Sequence, residues 1–177
     1  MRFIESPNKT TCKAIPSWLS KDLIVIHWIA GSAKGAINWF SNPISKVSAH
    51  YVIDSDGNIT QMVSEQDIAW HAGLSSYKDY PTKYNGHEWG SLNVCSIGIE
   101  LEGPPSCVKG MKKWSKKMIR ACAKLCREIG ERHPGIKLTD HSRIAPFRKI
   151  DVIAGTGRVE DIFPWKEFVE LTGLKEA

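Results

Sequence analysis

The sequence contains no long apolar run and no disulfide framework. No stretch approaches the roughly 20 apolar residues that span a bilayer, and the first residues, MRFIESPNKTTCK, lack the apolar block of a secretory signal. The five cysteines are odd in number and form no CxxC pair, which argues against a disulfide scaffold and against a zinc finger. We therefore expect reduced thiols in a chain that is cytoplasmic at synthesis.

Composition and charge favour one globular domain over residues 1–177. The sequence is 42% hydrophobic and 24% charged, which is typical of a soluble folded protein. Its net charge of +5 favours an anionic partner or simply a mildly basic, solubilising surface. The lysine cluster KGMKKWSKK at 109–117 carries no nucleic-acid motif and is interpreted as the solvated start of a helix. We expect a monomer, with no nucleic-acid binding and no membrane insertion.

The first half of the chain alternates between strand and helix signals. A branched apolar run at 23–26 predicts a buried strand with His27 at its C-terminal end. GSAKGAINWFSN predicts a short helix capped by Ser32. SAHYVIDSDGNITQMV predicts a hairpin with strands at 50–53 and 59–63 around a two-residue Asp56-Gly57 turn. The segment 64–95 has no steady period and is expected to be rich in functional loops.

The second half continues the same alternation. SIGIELEG predicts a strand with Ile97, Ile99 and Leu101 on one face and Glu100 and Glu102 on the other. KKWSKKMIRACAKLCREIGERHPG predicts an amphipathic helix, IKLTDHS a further strand, and FPWKEFVELTG a closing helix. Strands and helices interleave, so the predicted class is α/β, with a mixed central sheet flanked by helices.

Three residues stand out as a potential metal site. A catalytic zinc takes three protein ligands and keeps a fourth position for water. His27 and His141 end separate predicted strands, and Asp151 could complete the set if the intervening loop folds back. The spacing also allows His141 to cap a strand while Asp151 pairs on the surface with Arg148 or Lys149. From the residues alone, both interpretations stay open.

Five ordered blocks carry a family resemblance over about residues 22–166. They are the strand with His27, then SAHYVIDSDGNITQMV, AWHAG, SIGIELEG and HSRIAPFRKID. In order and chemistry they resemble the zinc-dependent N-acetylmuramoyl-L-alanine amidases of type 2. That family includes cytosolic muropeptide-recycling amidases, short phage endolysins and peptidoglycan recognition proteins. The resemblance implies an amidase type 2 fold and a peptidoglycan or muropeptide substrate.

The resemblance also implies roles for individual residues. His27, His141 and Asp151 would hold Zn²⁺, and Lys149 would stabilise the oxyanion of a tetrahedral intermediate. Glu100 would be the general base, with Glu102 as the rival or as a hydrogen-bonded support. Some relatives use a tyrosine just before the position of His50, but this chain has an alanine there, which leaves the carboxylate variant.

The long loop supplies most of the candidate groove walls. His50 and His71 are interpreted as structural or groove-lining rather than as metal ligands. Lys46 could meet a carboxylate of the stem peptide. Any of these side chains could equally serve packing. The candidate substrate-binding residues are Lys46, Trp70, His71, Tyr84, Trp89 and Asn93.

The biological role is expected to be that of a phage-type endolysin that reaches the wall after holin-type release. The segment VIAGTGRVEDIFPW is longer than in the family pattern, and an arginine that recycling enzymes carry near WGSLN is missing. Both departures favour the intact polymer as substrate. Cytosolic recycling of anhydro-muropeptides is the alternative, and a domain that binds peptidoglycan without cutting it is the third hypothesis.

Overall fold

A six-stranded mixed sheet forms the centre of the protein. The computed structural model describes residues 1–12, 20–78, 80–84, 87–88 and 90–177. The strands, in chain order, are β1 Arg2–Phe3, β2 Lys9–Thr10, β3 Leu23–Trp28, β4 Tyr51–Ile53, β5 Ile59–Gln61, β6 Ile68–Ala69, β7 Lys83–Tyr84, β8 His87–Glu88, β9 Ser96–Leu101 and β10 Lys137–Asp140. The sheet order is β1-β5-β4-β9-β3-β10, in which β4 and β5 pair antiparallel and the other pairs are parallel.

Helices cover both faces of this sheet. They are α1 Ala33–Phe40, α2 Lys116–Arg132, α3 His141–Ile144 and α4 Trp165–Thr172, with 3₁₀ turns at Leu92–Cys95, Pro105–Cys107 and Val159–Asp161. The predicted α/β class with a mixed central sheet is confirmed. No helix within the described ranges is both long enough and apolar enough to span a membrane.

Strand β9 separates the main core from the face that carries polar side chains. Ile97, Ile99 and Leu101 are fully buried against the apolar stripe of α2, as the alternation predicts. Each such side chain contributes about 1.5–3 kcal/mol when it leaves water. Gly98 and Glu100 point to the opposite face, so the sheet itself separates the core under α2 from the polar groups.

Helix α2 spans Lys116–Arg132 and is capped at its first turn. The Ser115 side chain accepts a hydrogen bond from the Met118 backbone N–H and caps the first turn, and the helix ends before His133. Cys122 and Cys126 are buried in the core, as predicted. The interpretation of 109–117 as the start of the helix is only partly right, because the first helical residue is Lys116.

The turn of the β4–β5 hairpin differs from the prediction. Ile53 pairs with Ile59, so five residues connect the strands rather than the two of an Asp56-Gly57 turn. The Asp54 carboxylate accepts hydrogen bonds from the backbone N–H groups of Asp56 and Asn58, at 3.0 and 2.8 Å. This side chain satisfies the loop backbone and therefore stabilises the longer connection.

Candidate metal and catalytic site

Three buried side chains converge at one edge of the sheet. β10 pairs parallel with β3, so the chain segments that follow both strands meet at the same edge. His27 lies near the end of β3, and His141 is the first residue of α3 directly after β10. Their Nδ1 atoms are 2.8 Å apart, and Asp151 Oδ2 lies 3.0 Å from His141 Nδ1 and 3.5 Å from His27 Nδ1.

Asp140 explains why the loop between His141 and Asp151 folds back. Its Oδ1 accepts hydrogen bonds from the backbone N–H groups of Ser142 and Val152, at 2.9 and 3.1 Å. The Ser142 N–H also donates to the Asp151 carbonyl at 2.5 Å. One carboxylate thus ties both ends of the loop together. Asp151 is 6% exposed and contacts the two imidazoles, so the surface-pair interpretation of this residue is wrong.

A chain of hydrogen bonds fixes the tautomer of His27. The Ser96 hydroxyl donates its single proton to the Leu92 carbonyl at 2.6 Å, so it accepts from His71 Nε2 at 3.1 Å. His71 Nδ1 is then an acceptor, and it takes the Nε2–H of His27 at 3.0 Å. The proton of His27 therefore sits on Nε2, and its Nδ1 lone pair faces His141 and Asp151.

His141 is held in the matching tautomer. Its Nε2 donates to the Ala72 carbonyl at 3.2 Å, which leaves the Nδ1 lone pair free. Burial, with the neighbouring His141 as a second cause, lowers the pKa of His27 to about 4, so the His27 ring is neutral at pH 7.

Two imidazole lone pairs and a carboxylate oxygen therefore face one point, with ligand atoms all within 4.8 Å of one another. Such an arrangement is repulsive without a cation. Two neutral imidazoles plus one carboxylate are a donor set that zinc enzymes use, and hydrogen bonds to the second ring nitrogen are typical of histidines that bind metal. The residues fit Zn²⁺.

Gly98 makes room for the hydrogen-bonded histidines. A Cβ at this position would lie 2.4 Å from Cγ of His71, which is closer than two non-bonded carbon atoms approach. The ring can therefore lie over β9 only because residue 98 has no side chain. The Gly98 N–H donates to His50 Nδ1 at 3.0 Å, and His50 Nε2 donates to the Asp67 carbonyl at 3.3 Å. His50 is fully engaged and lies outside the three-ligand group.

Glu100 stands beside the ligands. It pairs in register with His27 across β9 and β3. Its Oε2 is buried and has no hydrogen-bond partner among the described residues. Burial raises the pKa of Glu100 well above its ordinary value, with a further increase from Asp151 that Lys149 partly opposes. This carboxyl therefore holds a proton more readily than a carboxyl in water.

Glu102 has a different environment, although it shares a strand face with Glu100. Its two oxygens accept hydrogen bonds from the backbone N–H groups of Ala33 and Ser55, at 3.0 and 2.7 Å. It therefore joins the first turn of α1 to the hairpin loop. Both oxygens are occupied, in contrast to the free oxygen of Glu100.

A cavity of ≈ 510 Å³ opens over the ligands. Lys149 lines it together with Glu100 and with two of the three candidate metal ligands, His141 and Asp151. Trp70 forms part of the wall, and its indole Nε1 donates to Thr10 Oγ1 at 3.2 Å. His71 also lines the cavity, although its ring nitrogens are occupied by the hydrogen bonds described above.

The other candidate wall residues are placed differently. Asn93 is buried, and its Oδ1 accepts hydrogen bonds from the backbone N–H groups of His71 and Ala72, at 3.0 and 2.7 Å, so it positions this loop rather than lining the cavity. Lys46 is exposed next to the wall residue Val47. Only the backbone of Tyr84 is described, within β7, and Trp89 lies outside the described residues.

One wall of the cavity was not anticipated from the sequence. It comes from α1 and the segments around it, and it includes Trp28, Trp39, Phe40 and Val47. Trp39 is 54% exposed, which is unusual for so large an apolar side chain. An outward tryptophan on a short amphipathic helix is the one sequence signal that would have indicated it.

Known proteins resemble the chain over most of its length. The sequence profile of the family described as N-acetylmuramoyl-L-alanine amidase (Amidase_2) matches residues 18–154. N-acetylmuramoyl-L-alanine amidase A of Achromobacter lyticus is 38% identical over 60% of this chain, and 1,6-anhydro-N-acetylmuramyl-L-alanine amidase AmpD of Citrobacter freundii is 35% identical over 70%. The matched segments span only 49% and 63% of those two relatives.

Solved structures share the fold. A selenomethionine derivative of AmpD superposes with a TM-score of 0.68 at 28% identity, covering 96% of this chain and 93% of that one. The amidase AmiD of Escherichia coli, in complex with anhydro-N-acetylmuramic acid-L-Ala-D-γ-Glu-L-Lys, superposes with a TM-score of 0.66 at 29% identity, covering 94% of this chain and 61% of that one.

Proposed function

The chain belongs to the N-acetylmuramoyl-L-alanine amidase family, and on that premise we propose that it is a zinc-dependent amidase. The bond that it hydrolyses is the amide between the lactyl group of N-acetylmuramic acid and the first L-alanine of the stem peptide. The observation that carries the proposal is the convergence of His27, His141 and Asp151 beneath a cavity that also contains Glu100 and Lys149.

His27, His141 and Asp151 are the residues that would hold the metal. When bound there, Zn²⁺ supplies a Lewis acid for the scissile carbonyl and lowers the pKa of water to about 7. His71 and the Ala72 carbonyl keep both imidazoles in the tautomer and orientation that binding requires.

Glu100 is the proton carrier of the proposed reaction. Its carboxylate accepts a proton from the attacking water and returns it to the nitrogen of the leaving L-alanine. The raised pKa of this buried group suits the second step, because the acid form persists closer to neutral pH. Glu102 is unsuited to this task, since both of its oxygens hold backbone N–H groups.

Lys149 provides the positive charge for the transition state. Its side chain lines the same cavity as Glu100 and Asp151. An ammonium group at this place stabilises the negative charge that develops on the carbonyl oxygen as water attacks. In the proposed reaction, Lys149 thereby stabilises the developing negative charge, while Glu100 transfers the proton.

For the physiological substrate, we favour soluble anhydro-muropeptides over the intact wall. The AmpD relatives are named for the 1,6-anhydro form of the sugar, and the AmiD complex contains an anhydro-N-acetylmuramic acid tripeptide. Two endolysins of similar fold, at 17% and 13% identity, support the fold alone. The endolysin interpretation of the sequence therefore has weaker support than its recycling alternative.

Mass spectrometry of reaction products tests this proposal. The zinc-loaded protein is incubated with anhydro-N-acetylmuramic acid tripeptide and, separately, with intact sacculi. We expect release of the free peptide with an L-alanine amino terminus from the soluble fragment, and little release from sacculi. Efficient cleavage of sacculi would restore the endolysin interpretation. Binding without cleavage of either substrate, unaffected by a chelator, would indicate a peptidoglycan-binding domain instead.

A further inference from the structure

Positive charge is concentrated in one segment of the chain. Residues 103–127 contain eight of the 24 Lys and Arg residues and no Asp or Glu. The rest of the chain has 16 cationic residues against 19 carboxylates and is therefore net acidic. The overall charge of +5 arises entirely from this segment, which the proposed catalytic reaction does not use.

Four of these cations line one groove between α2 and the segment that leads into α4. Lys112, Lys113, Lys116 and Arg120 form one side of a cavity of ≈ 570 Å³, which we call the basic groove. In the described part of the chain, no carboxylate oxygen lies within 4.0 Å of the charged nitrogens of these four residues. By contrast, Lys117 is paired with Asp56 and Lys124 with Glu128.

Helix stability does not explain this placement. Lys112 and Lys113 precede α2 and Lys116 is its first residue, and the first turn contains no acidic residue. The N-terminal end of a helix carries partial positive charge and favours anions. Lysines at this end therefore cost stability, which indicates a role for them outside folding.

Exposed aliphatic side chains lie on the other side of the basic groove. Val159 is 81% exposed and Ile162 is 67% exposed, and both line the groove opposite the cations. Glu160 and Glu167 are the two carboxylates of the lining, so the cations outnumber them two to one. Aliphatic side chains beside unpaired cations match the chemistry of a membrane interface, where both acyl chains and anionic headgroups are present.

The basic groove faces away from the catalytic cavity. α2 packs on the sheet face that Ile97 and Ile99 contribute, while Glu100 faces the catalytic cavity on the other side. Among the residues that the structure describes, none lines both the groove and the catalytic cavity. A surface bound at the groove would leave the catalytic cavity open to substrate.

We propose that the basic groove docks the protein peripherally on a membrane surface rich in anionic phospholipid. The four cations contact the headgroups, and Val159 and Ile162 enter the boundary with the acyl chains. A water-soluble polyanion would account for the cations but gives the exposed aliphatic side chains no partner. The lipid surface accounts for both.

Flotation with lipid vesicles tests the docking surface. The full chain is mixed with vesicles of phosphatidylcholine alone or of phosphatidylcholine with phosphatidylglycerol, and we expect binding only to the latter, weakened by salt. Each cation at such a surface contributes a factor of about five to partitioning. The variant with Lys112, Lys113, Lys116 and Arg120 all changed to Gln should therefore bind about 600-fold more weakly if the four contributions multiply.

The matched control changes the same amount of charge elsewhere. Arg2, Lys34, Lys78 and Lys175 are exposed and lie outside the basic groove, and their combined change to Gln should retain most of the binding. Circular dichroism confirms that both variants fold. Equal binding by the two quadruple variants would overturn the proposal, because net charge alone would then explain the affinity.

A second pair of substitutions separates the lipid from a soluble polyanion. Val159→Ser with Ile162→Ser should weaken vesicle binding and leave retention on a heparin column unchanged. If the native protein bound heparin but no vesicle, the lipid proposal would be wrong and the groove would be a polyanion site. Neither assay depends on metal or on turnover. Failure of the docking proposal would therefore leave the proposed amidase activity unaffected.

Discussion

The Nδ1 atoms of His27 and His141 lie 2.8 Å apart with a lone pair on each. The Nε2 protons are donated to His71 and to the Ala72 carbonyl, so in the neutral form of each ring the Nδ1 atom carries a lone pair. Two lone pairs at this distance repel, and the nearby carboxylate of Asp151 adds negative charge. The protein therefore uses folding energy to hold a site that a divalent cation stabilises.

Removal of one ligand should remove the metal. We expect His141→Ala to contain far less than one zinc per chain, because two protein ligands do not complete a stable site. Atomic absorption of the purified, dialysed protein measures the content. His133→Gln is the matched control, since His133 contacts Glu65 and is not one of the three proposed ligands. Full zinc content in His141→Ala would contradict the assignment.

The Ser96 hydroxyl should affect metal affinity without touching the metal. Ser96→Ala removes the acceptor for His71 Nε2–H, so His71 no longer enforces the tautomer of His27. Loss of such an outer partner typically costs about 10–100-fold in metal affinity. Competition with a chromogenic chelator measures it.

Ser6→Ala is the control for that experiment. Ser6 is also fully buried, and its hydroxyl donates to the Phe40 carbonyl, away from the ligands. Both variants should lose similar stability, but only Ser96→Ala should bind zinc more weakly. Equal zinc affinities would mean that His71 does not control the tautomer.

Substitutions of Glu100 and Glu102 should affect different properties, kcat for Glu100 and folding stability for Glu102. Glu100→Gln should retain zinc and lose about 10²–10⁴-fold in kcat, because the amide cannot carry the proton. Glu102→Gln should keep most of kcat and lower Tm, since it weakens a backbone link between α1 and the hairpin. Steady-state kinetics on the anhydro-muropeptide measures kcat for both variants. A normal kcat for Glu100→Gln would show that a different group is the base.

Trp39 should contribute to substrate binding. Its exposed ring lines the cavity, and a stacked aromatic face is worth about 0.5–1.5 kcal/mol. Trp39→Ala should therefore raise KM roughly two- to tenfold with little change in kcat. Trp39→Phe, which retains an aromatic face, should restore most of the affinity. An unchanged KM in the alanine variant would exclude the ring from the substrate groove.

Glu65 should make folding stability depend on pH. Burial alone would raise its pKa, but hydrogen bonds from His133, Arg132 and Tyr51 hold that pKa well below the ordinary value. A carboxyl with a depressed folded pKa stabilises the fold above its unfolded pKa of about 4.3, and this contribution is lost as pH falls. Glu65→Gln should cost about 1–3 kcal/mol at pH 7.

Urea unfolding of both proteins measures the effect of that substitution. The difference in free energy of unfolding between the native chain and Glu65→Gln should be largest near neutral pH. It should shrink as pH falls below about 4, because the unfolded chain then binds a proton at Glu65 that the folded chain, with its depressed pKa, does not. A difference that stayed constant across this range would show that ionisation of Glu65 does not contribute to stability.

The parts of the fold that depend on local periodicity were predictable. The alternation in SIGIELEG indicated which side chains of β9 enter the core, and the three-and-four spacing of apolar residues in α2 indicated an amphipathic helix. The prediction of a two-residue hairpin turn was wrong, because the side chain of Asp54 stabilises a longer loop than the Asp56-Gly57 pair suggests. Propensity alone does not reveal such a competing hydrogen bond.

The site was predictable to the extent that it lies at strand ends. His27 and His141 follow predicted strands, but nothing in the spacing required those strands to be neighbours. Asp151 joins them through the hydrogen bonds of Asp140, which cross twelve residues and leave no periodic signal. The tautomer-fixing role of His71 depends on how a loop lies across β9, and only the folded structure reveals it.

The bare backbone of Gly98 limits what can be concluded from relatives of this protein. A methyl group at that position would displace the His71 imidazole while leaving all three proposed metal ligands unchanged. A homologue could therefore keep two histidines and an aspartate in its sequence and still be inert. Screening genomes for active members by the ligand triad alone would count such proteins as enzymes, whereas including residue 98 in the search pattern would set them apart.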